Sequence, residues 1–367
     1  MKPTSVTAFR GALRAEGIVL EFGRSVAAEG AAAAFSASDR VLLTPQAAER
    51  LLVALDLALL APGAAAAPSV PVARPVDPQE LMRRGMTPVH VPADEAAVLA
   101  SALLDGVAEL GAPWQYERSF RMATGSLLGN RFLMTVARRD LGPEALPKVL
   151  ALCTRLGMPQ AAAQAAAHEW EQAAGVHFGF EGSPGGAVCK LYLEQVHSQD
   201  AARRAFEMTE PLQQHVAWKW RAGDAQAVVT RYLWRPLLSA EQIAQRLATV
   251  YEGAADPLGL AAAREALETA SARNPSAVLQ YLEVQEEGSP RRSFDLNLYD
   301  AGLRVQDIRA VLSRLRERHG IRPGQFQALY DQVKGQPLGH VAGGVHRDGQ
   351  DFFTVYHVAP APRGQRT

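Results

Sequence analysis

From about residue 93 the chain alternates between two hydrophobic periods. Stretches with apolar residues three or four apart are followed by pairs of stretches in which apolar and polar residues alternate, each pair joined by a glycine-containing turn. Residues 305–319 place Val305, Ile308, Val311, Leu312 and Leu315 on one helical stripe. In AVCKLYLE, Cys189, Leu191 and Leu193 share one strand face, and Lys190, Tyr192 and Glu194 share the other. In SFDLNLY, Phe294, Leu296 and Leu298 oppose Asp295, Asn297 and Tyr299. The pattern predicts helices over 94–110, 144–156, 161–174, 200–208, 240–251, 259–272, 305–319 and 324–333. It predicts strands over 113–122, 130–140, 176–181, 187–195, 215–221, 225–234, 277–287, 291–300, 338–346 and 351–358. Ser239 with Gln242 forms a capping box ahead of the helix at 240. The unit built on 215–234 lacks a leading helix or has only a short one.

Ten strands in five antiparallel pairs, flanked by helices, set the fold class as α+β. Helices packed on one side of a strand take its apolar face, so the polar face must look elsewhere. An open two-layer sheet would turn it to solvent, whereas a closed barrel would turn it to a solvated chamber. Tyr recurs on that face, where solvent faces favour Lys, Glu and Thr, and this favours the chamber. Polar parity then gives an inward set: Gln115, Glu117, Arg121, Arg131, Thr135, Lys190, Tyr192, Lys219, Arg231 or its neighbours, Tyr281, Glu283, Asn297, Tyr299, His340 and Tyr356.

Residues 1–92 differ in composition. They are Ala-rich, with a helix expected around 46–60 and a Pro/Ala-rich connector over 61–78, and they read as an N-terminal extension or cap. The barrel region is 93–359, followed by a disordered tail at 360–367. Across 367 residues, hydrophobic residues make up 48% and charged residues 21%, a composition that supports a large core. Lys+Arg and Asp+Glu number 38 each, so no overall basic charge points to nucleic acid or an anionic membrane. The two cysteines, Cys153 and Cys189, make no disulfide framework and read as buried thiols. The N-terminus has no apolar run of signal-peptide length, and LLVALDLALL is broken by Asp56 and ends at Pro62, so a soluble cytoplasmic protein is expected.

Two local motifs join the unit count. GAPWQYERSF resembles the first barrel strand of the indole prenyltransferases, and KLYLE resembles their second-unit strand. Over about residues 93–359 the chain resembles the prenyltransferase barrel, or ABBA fold, of the aromatic prenyltransferases. The motifs most resemble those of the dimethylallyltryptophan-type enzymes. The resemblance implies a ten-stranded antiparallel barrel of five helix-strand-strand-helix units, ringed by helices, around a reaction chamber. It implies transfer of a short allylic group, dimethylallyl or geranyl, from its diphosphate to an aromatic small molecule or peptide side chain. It also implies secondary metabolism as the setting. Three departures stand out. Gln115 replaces the family glutamate, with Glu117 two residues on. VVTRYLW offers only Arg231, beside Tyr232, where a basic pair then Tyr is expected. Asn297 precedes Tyr299 where a Lys is expected.

Prenyl transfer needs cations for the leaving pyrophosphate, a dry aromatic shield for the allylic cation and an acceptor for one proton. The candidates are Arg131, Lys190, Lys219 and Arg231 for diphosphate, and Tyr192, Tyr281, Tyr299 and Tyr356 for the shield. Glu117 is the proton acceptor and Gln115 orients the acceptor substrate. No metal ligands are expected, and magnesium is allowed but not implied: the chain has no Asp-rich diphosphate motif. His168-Glu169 lacks the second His of a zincin helix, and GFEGSPGG lacks the Lys of a P-loop. Trp218 and Trp220, flanking Lys219, read as core. The alternative function is a non-catalytic barrel that binds a hydrophobic ligand or a protein partner.

Overall fold

The computed structural model describes strands at 7–14, 17–26 and 34–43 and, with short breaks, residues 93–358. The breaks fall at 184–185, 198–200, 202–204, 206–209, 237, 255–257 and 347–348. The helix expected at 46–60, the connector at 61–78 and the tail at 360–367 lie outside the described residues. Of the helix expected at 200–208 only Ala201 and Ala205 are described, both helical.

The chain divides into two compact units, Met1–Pro68 and Ser69–Thr367. The first holds a three-stranded antiparallel sheet in the order β1 (Thr7–Arg14), β2 (Gly17–Val26), β3 (Ala34–Leu43). The sequence pattern gave no strand reading for this stretch, whose alternation is diluted by Ala and Gly.

The second unit is a closed barrel of ten strands. These are β4 (Trp114–Ala123), β5 (Ser126–Ala137), β6 (Ala173–Ser183), β7 (Gly186–Gln195), β8 (Leu212–Trp220), β9 (Val228–Arg235), β10 (Gln280–Glu286), β11 (Arg292–Asn297), β12 (Leu338–Val345) and β13 (Asp351–Val358). Every neighbouring pair is antiparallel, and β13 pairs with β4 to close the ring. Each hairpin turns at a glycine with positive φ: Gly125, Gly186, Gly223, Gly288 and Gly349. Gly129, expected in the first turn, lies within β5, because the tight turn at Gly125 leaves it in the ladder.

Seven α-helices are described: α1 (Ala93–Glu109), α2 (Ala145–Arg155), α3 (Gln160–Glu169), α4 (Ala240–Val250), α5 (Leu258–Arg273), α6 (Arg309–Arg318) and α7 (Pro323–Val333). The helix expected at 161–174 stops early, because β6 begins at Ala173, paired with Gln195. The helix expected at 305–319 opens with a 3₁₀ turn, Val305–Ile308, before α6. At α4 the capping box is present: the Gln242 N–H donates to Ser239 Oγ at 3.2 Å, and the Ser239 N–H donates to Gln242 Oε1 at 2.8 Å.

The helices cover the outer barrel wall in two apolar clusters. One joins α1, α2 and α3 to Phe132, Phe178, Leu191 and Trp218; the other joins α4 to α7 with Phe120, Phe294, Val341 and Phe353. Each such side chain taken from water contributes about 1.5–3 kcal/mol. Trp218 and Trp220 belong to this outer layer as expected, and the Trp220 indole N–H donates to the Leu156 carbonyl at 2.9 Å. Among the described residues no helix is long and apolar enough to cross a membrane.

Candidate active site within the barrel

Cross-strand partners share a face, so the register traces the inner wall strand by strand. Around the ring, Ser119 pairs with Arg131, Arg131 with Glu181, Gly179 with Lys190, and Lys190 with Lys219. Further round, His215 pairs with Tyr232, Val284 with Ser293, Asn297 with His340, and Thr354 with Arg121. The inward side chains Glu117, Thr135, His177, Tyr192, His215, Lys219, Tyr232, Asp295, His340 and Tyr356 are all only partly buried. Outward neighbours such as Leu191, Leu193, Trp218 and Phe353 are fully buried beneath helices. The wall is therefore packed outside and lined inside by polar and aromatic side chains, partly accessible at the far end and buried at Ser119, Arg131, Glu181, Lys190, Thr230 and Thr354.

The inner wall is chemically graded. At the hairpin end Glu181 accepts from Arg121 at 3.0 Å and from Lys190 at 2.8 Å, and it also pairs with Arg131. Burial alone would raise the Glu181 carboxyl, but these three cations hold it well below the usual carboxylate range. Burial pushes the Lys190 ammonium down to about 8, against the pull of Glu181. Lys219 meets an aromatic face instead, its Nζ 5.7 Å from the centroid of Tyr232. Burial, with Lys190, Arg291 and Arg121 nearby, drives Lys219 well below an ordinary lysine. A small cavity lined by Lys219, Thr230, Val284, Glu286, Arg291 and Ser293 opens here. The buried Thr230 Oγ1 and Arg291 Nε have no hydrogen-bond partner among the described residues. Unused donors beside a part-buried lysine suit an anion, with Glu286 already held by Arg291.

Aromatic rings fill the middle. Tyr192 and Tyr232 lie 5.7 Å apart by ring centroid, and His215 stands edge-on to Tyr232 at 5.8 Å. His177 meets Tyr192 at 6.3 Å and His215 at 5.3 Å. Tyr356 lies 5.8 Å from His340.

The far end, from which the helical connections leave, is acidic and histidine-rich. Burial raises the Glu117 carboxyl, partly offset by His340. Burial would lower His340, but Asp295, 2.7 Å from its Nδ1, raises it to about 9. Thr135 Oγ1 lies 2.7 Å from His177 Nδ1. Burial would raise Glu194, but His177 and His215 bring it down to about 2. Gln115 stands exposed at the start of β4, on the face shared with Glu117.

The structure brings Arg131, Lys190, Lys219, Tyr192, Tyr356 and Glu117 into one chamber. Two predicted residues do not join them. Arg231 faces outward, paired across the sheet with Val216 and Gln285 and bonded to Glu287 and Gln213. Its neighbours Thr230 and Tyr232 take the inner face. Tyr281, with Glu283, also faces outward: Tyr281 is buried among the helices, and Glu283 pairs with Arg235 at 2.7 Å and with Arg246 of α4 at 3.6 Å. That ion pair accommodates a carboxylate in the outer layer and reverses the apparent parity of β10. Tyr299 lies beyond the end of β11, in the 3₁₀ turn Tyr299–Ala301, and donates from its hydroxyl to Glu117. The sequence reading missed Glu181, His177, His215 and Arg291, and it gave no role to Asp295, which it set on the polar face, or to Tyr232, a neighbour of Arg231. The alternation of VHFGFE, with Val176, Phe178 and Phe180 on one face, would have exposed His177 and Glu181. Among the described residues no group of three or more His, Cys, Asp or Glu side chains is arranged to hold a metal ion.

No known protein-family profile matches the chain, and no curated protein matches it. Among solved structures the chain is similar to the prenyltransferase NotF, at 11% identity and a TM-score of 0.48, over 79% of this chain and 100% of that one. It is similar to AnaPT from Neosartorya fischeri at 14% identity and a TM-score of 0.43, over 69% and 80% of the two chains. It is similar to a 6-dimethylallyl tryptophan synthase at 16% identity and a TM-score of 0.45, over 67% and 81%. What this barrel does has to be read from its own interior.

Proposed function

We propose that the barrel is an aromatic prenyltransferase, moving a short allylic group, with dimethylallyl the leading candidate, from its diphosphate to an electron-rich aromatic acceptor. The observation that carries this reading is the grading of the inner wall: cations at the hairpin end, aromatic rings in the middle, a carboxylate at the far end.

Arg121, Arg131, Lys190 and Lys219 would hold the diphosphate, assisted by Arg291 and Thr230. As the allylic C–O bond breaks, its electron pair leaves on pyrophosphate, where these donors stabilise it. Tyr192, Tyr232 and Tyr356 would flank the allylic cation, their ring faces favouring positive charge and excluding water. The acceptor ring, oriented by Gln115 and Glu117, supplies the electron pair of the new bond. One proton leaves the acceptor, and Glu117, its carboxyl raised by burial, is placed to take it. Every role here belongs to the protein's own side chains, and no step calls for magnesium.

A barrel that merely held a hydrophobic ligand would have no use for three convergent cations. Calorimetry with dimethylallyl and geranyl S-thiolodiphosphates, with and without magnesium, tests the reading. Micromolar binding that is lost in Lys190→Ala is the expected result. Failure of both mimics to bind, with an aromatic acceptor mixture present, would overturn it.

A further inference from the structure

At the far end of the barrel a ring of the chain itself stands where an acceptor would. The Tyr299 hydroxyl donates to Glu117, 182 residues away in sequence. Its ring stands edge-on to His340, with centroids 5.3 Å apart and planes at 87°. The ring packs on Gly339, where a Cβ would come within 2.6 Å of Tyr299 Cζ and Oη, so a side chain at 339 would evict it. Tyr299 is nevertheless 38% exposed and sits in a short turn that ends at Gly302, with φ of 65°. It can leave without unpacking a core.

We propose that Tyr299 holds the acceptor's place, and that the acceptor is a phenol. The contact already made by Tyr299 is the contact such a substrate needs: an O–H donating to Glu117, with its ring edge-on to the imidazole of His340. The charges around that imidazole are Asp295, 2.7 Å from its Nδ1, and Glu117. Together they keep His340 protonated at neutral pH. The imidazolium is paired with Asp295, so its effect is local: it acts on the ring that stands edge-on to it. A phenol can pass its O–H proton to Glu117 and attack as phenolate, its charge facing His340. An indole's second ring would have to fit where the single ring of Tyr299 now stands.

The balance closes for either bond. If the new bond forms at oxygen, the hydroxyl proton is the one lost. If it forms at a ring carbon, the C–H proton is lost and the hydroxyl is restored. In both cases the donor's C–O bond breaks and its electron pair departs on pyrophosphate.

This inference rests on the transferase reading only for the steps after binding, so its test is a binding test. Calorimetry of the full chain in saturating pyrophosphate would compare N-acetyltyrosinamide, N-acetyltryptophanamide and N-acetylphenylalaninamide. The tyrosine amide is expected to bind roughly tenfold more tightly than the phenylalanine amide, as one hydrogen bond to a charged group warrants, and more tightly than the tryptophan amide, whose N–H can donate but whose bicyclic ring exceeds the place of a phenol. Tyr299→Ala, with the place vacated, is expected to bind it several-fold more tightly still, and Glu117→Gln to lose the preference. Circular dichroism would check that both variants fold. Equal or tighter binding of the tryptophan amide, or no gain in Tyr299→Ala, overturns the proposal. Failure of pyrophosphate itself to bind would count against the transferase reading, while the ranking of the three amides would still decide this one.

Discussion

Glu181 and the three cations around it are each poor candidates for burial alone, and together they are stable. Removing one partner leaves the others uncompensated, at a cost of about 3–5 kcal/mol. Glu181→Gln should therefore lower the melting temperature. Pyrophosphate, replacing the lost negative charge, should raise it by more in the variant than in the parent, and differential scanning fluorimetry reads both. Lys190 carries a second expectation. With its ammonium at about 8, diphosphate affinity should fall as pH rises through 8, and Lys190→Arg should move that fall upward. At any one pH near 7, Lys190→Ala should weaken donor binding by about 1.5–3 kcal/mol, roughly ten- to a hundredfold. His340 works the other way. Its pKa is raised on folding, so its contribution is complete below about 6.5 and is lost as pH rises through about 9. Melting curves between pH 6 and 10 should show that loss, on the order of 2–3 kcal/mol, and His340→Gln should flatten it. The inward lysines, Glu117, Tyr192 and Tyr356 were legible because their strands alternate cleanly. Arg231 was not, because TRYLWR sets two polar side chains next to each other and either parity fits.

Among the elements, helices and hairpins were read more securely than the faces of strands. A capping box and an apolar stripe are local signals, and α4 carries both. Ser239→Ala should cost about 1 kcal/mol, measured by urea denaturation, with the barrel otherwise intact. Strand faces depend on what packs on each side, and β10 shows the limit. Its inner face sets Leu282 and Val284 between Gln280 and Glu286, and its outer face carries Glu283 against Arg235 and Arg246. A rule that turns polar residues inward fails where an outer ion pair has a partner on a neighbouring helix. The sheet of β1, β2 and β3 was hidden for another reason: alanine and glycine supply neither an apolar nor a polar signal to alternate.

For the whole molecule, the unit count did most to reveal the architecture. Five antiparallel hairpins in succession leave few ways to satisfy every strand edge, and closure is one of them. What the count could not supply was the grading of the interior, which arises from residues on different strands meeting across the chamber. Glu181 on β6 gathers Arg121 from β4, Arg131 from β5 and Lys190 from β7. Nothing in any single strand announces that meeting.

The seam between β13 and β4 has a kinetic consequence. All nine other strand contacts join strands consecutive in the chain, five through hairpins and four across helical connections, but Arg121 and Thr354 meet from 233 residues apart. Contacts so distant are slow to form, because the entropy of closing the loop is lost before any pairing rewards it. During synthesis, β4 emerges long before its partner exists and waits with an open edge. A chain cut short before β13 would keep two such edges and should aggregate rather than fold. Refolding of the full chain should end in a slow phase in which the amides of the β4–β13 seam gain native protection, read by pulsed hydrogen exchange.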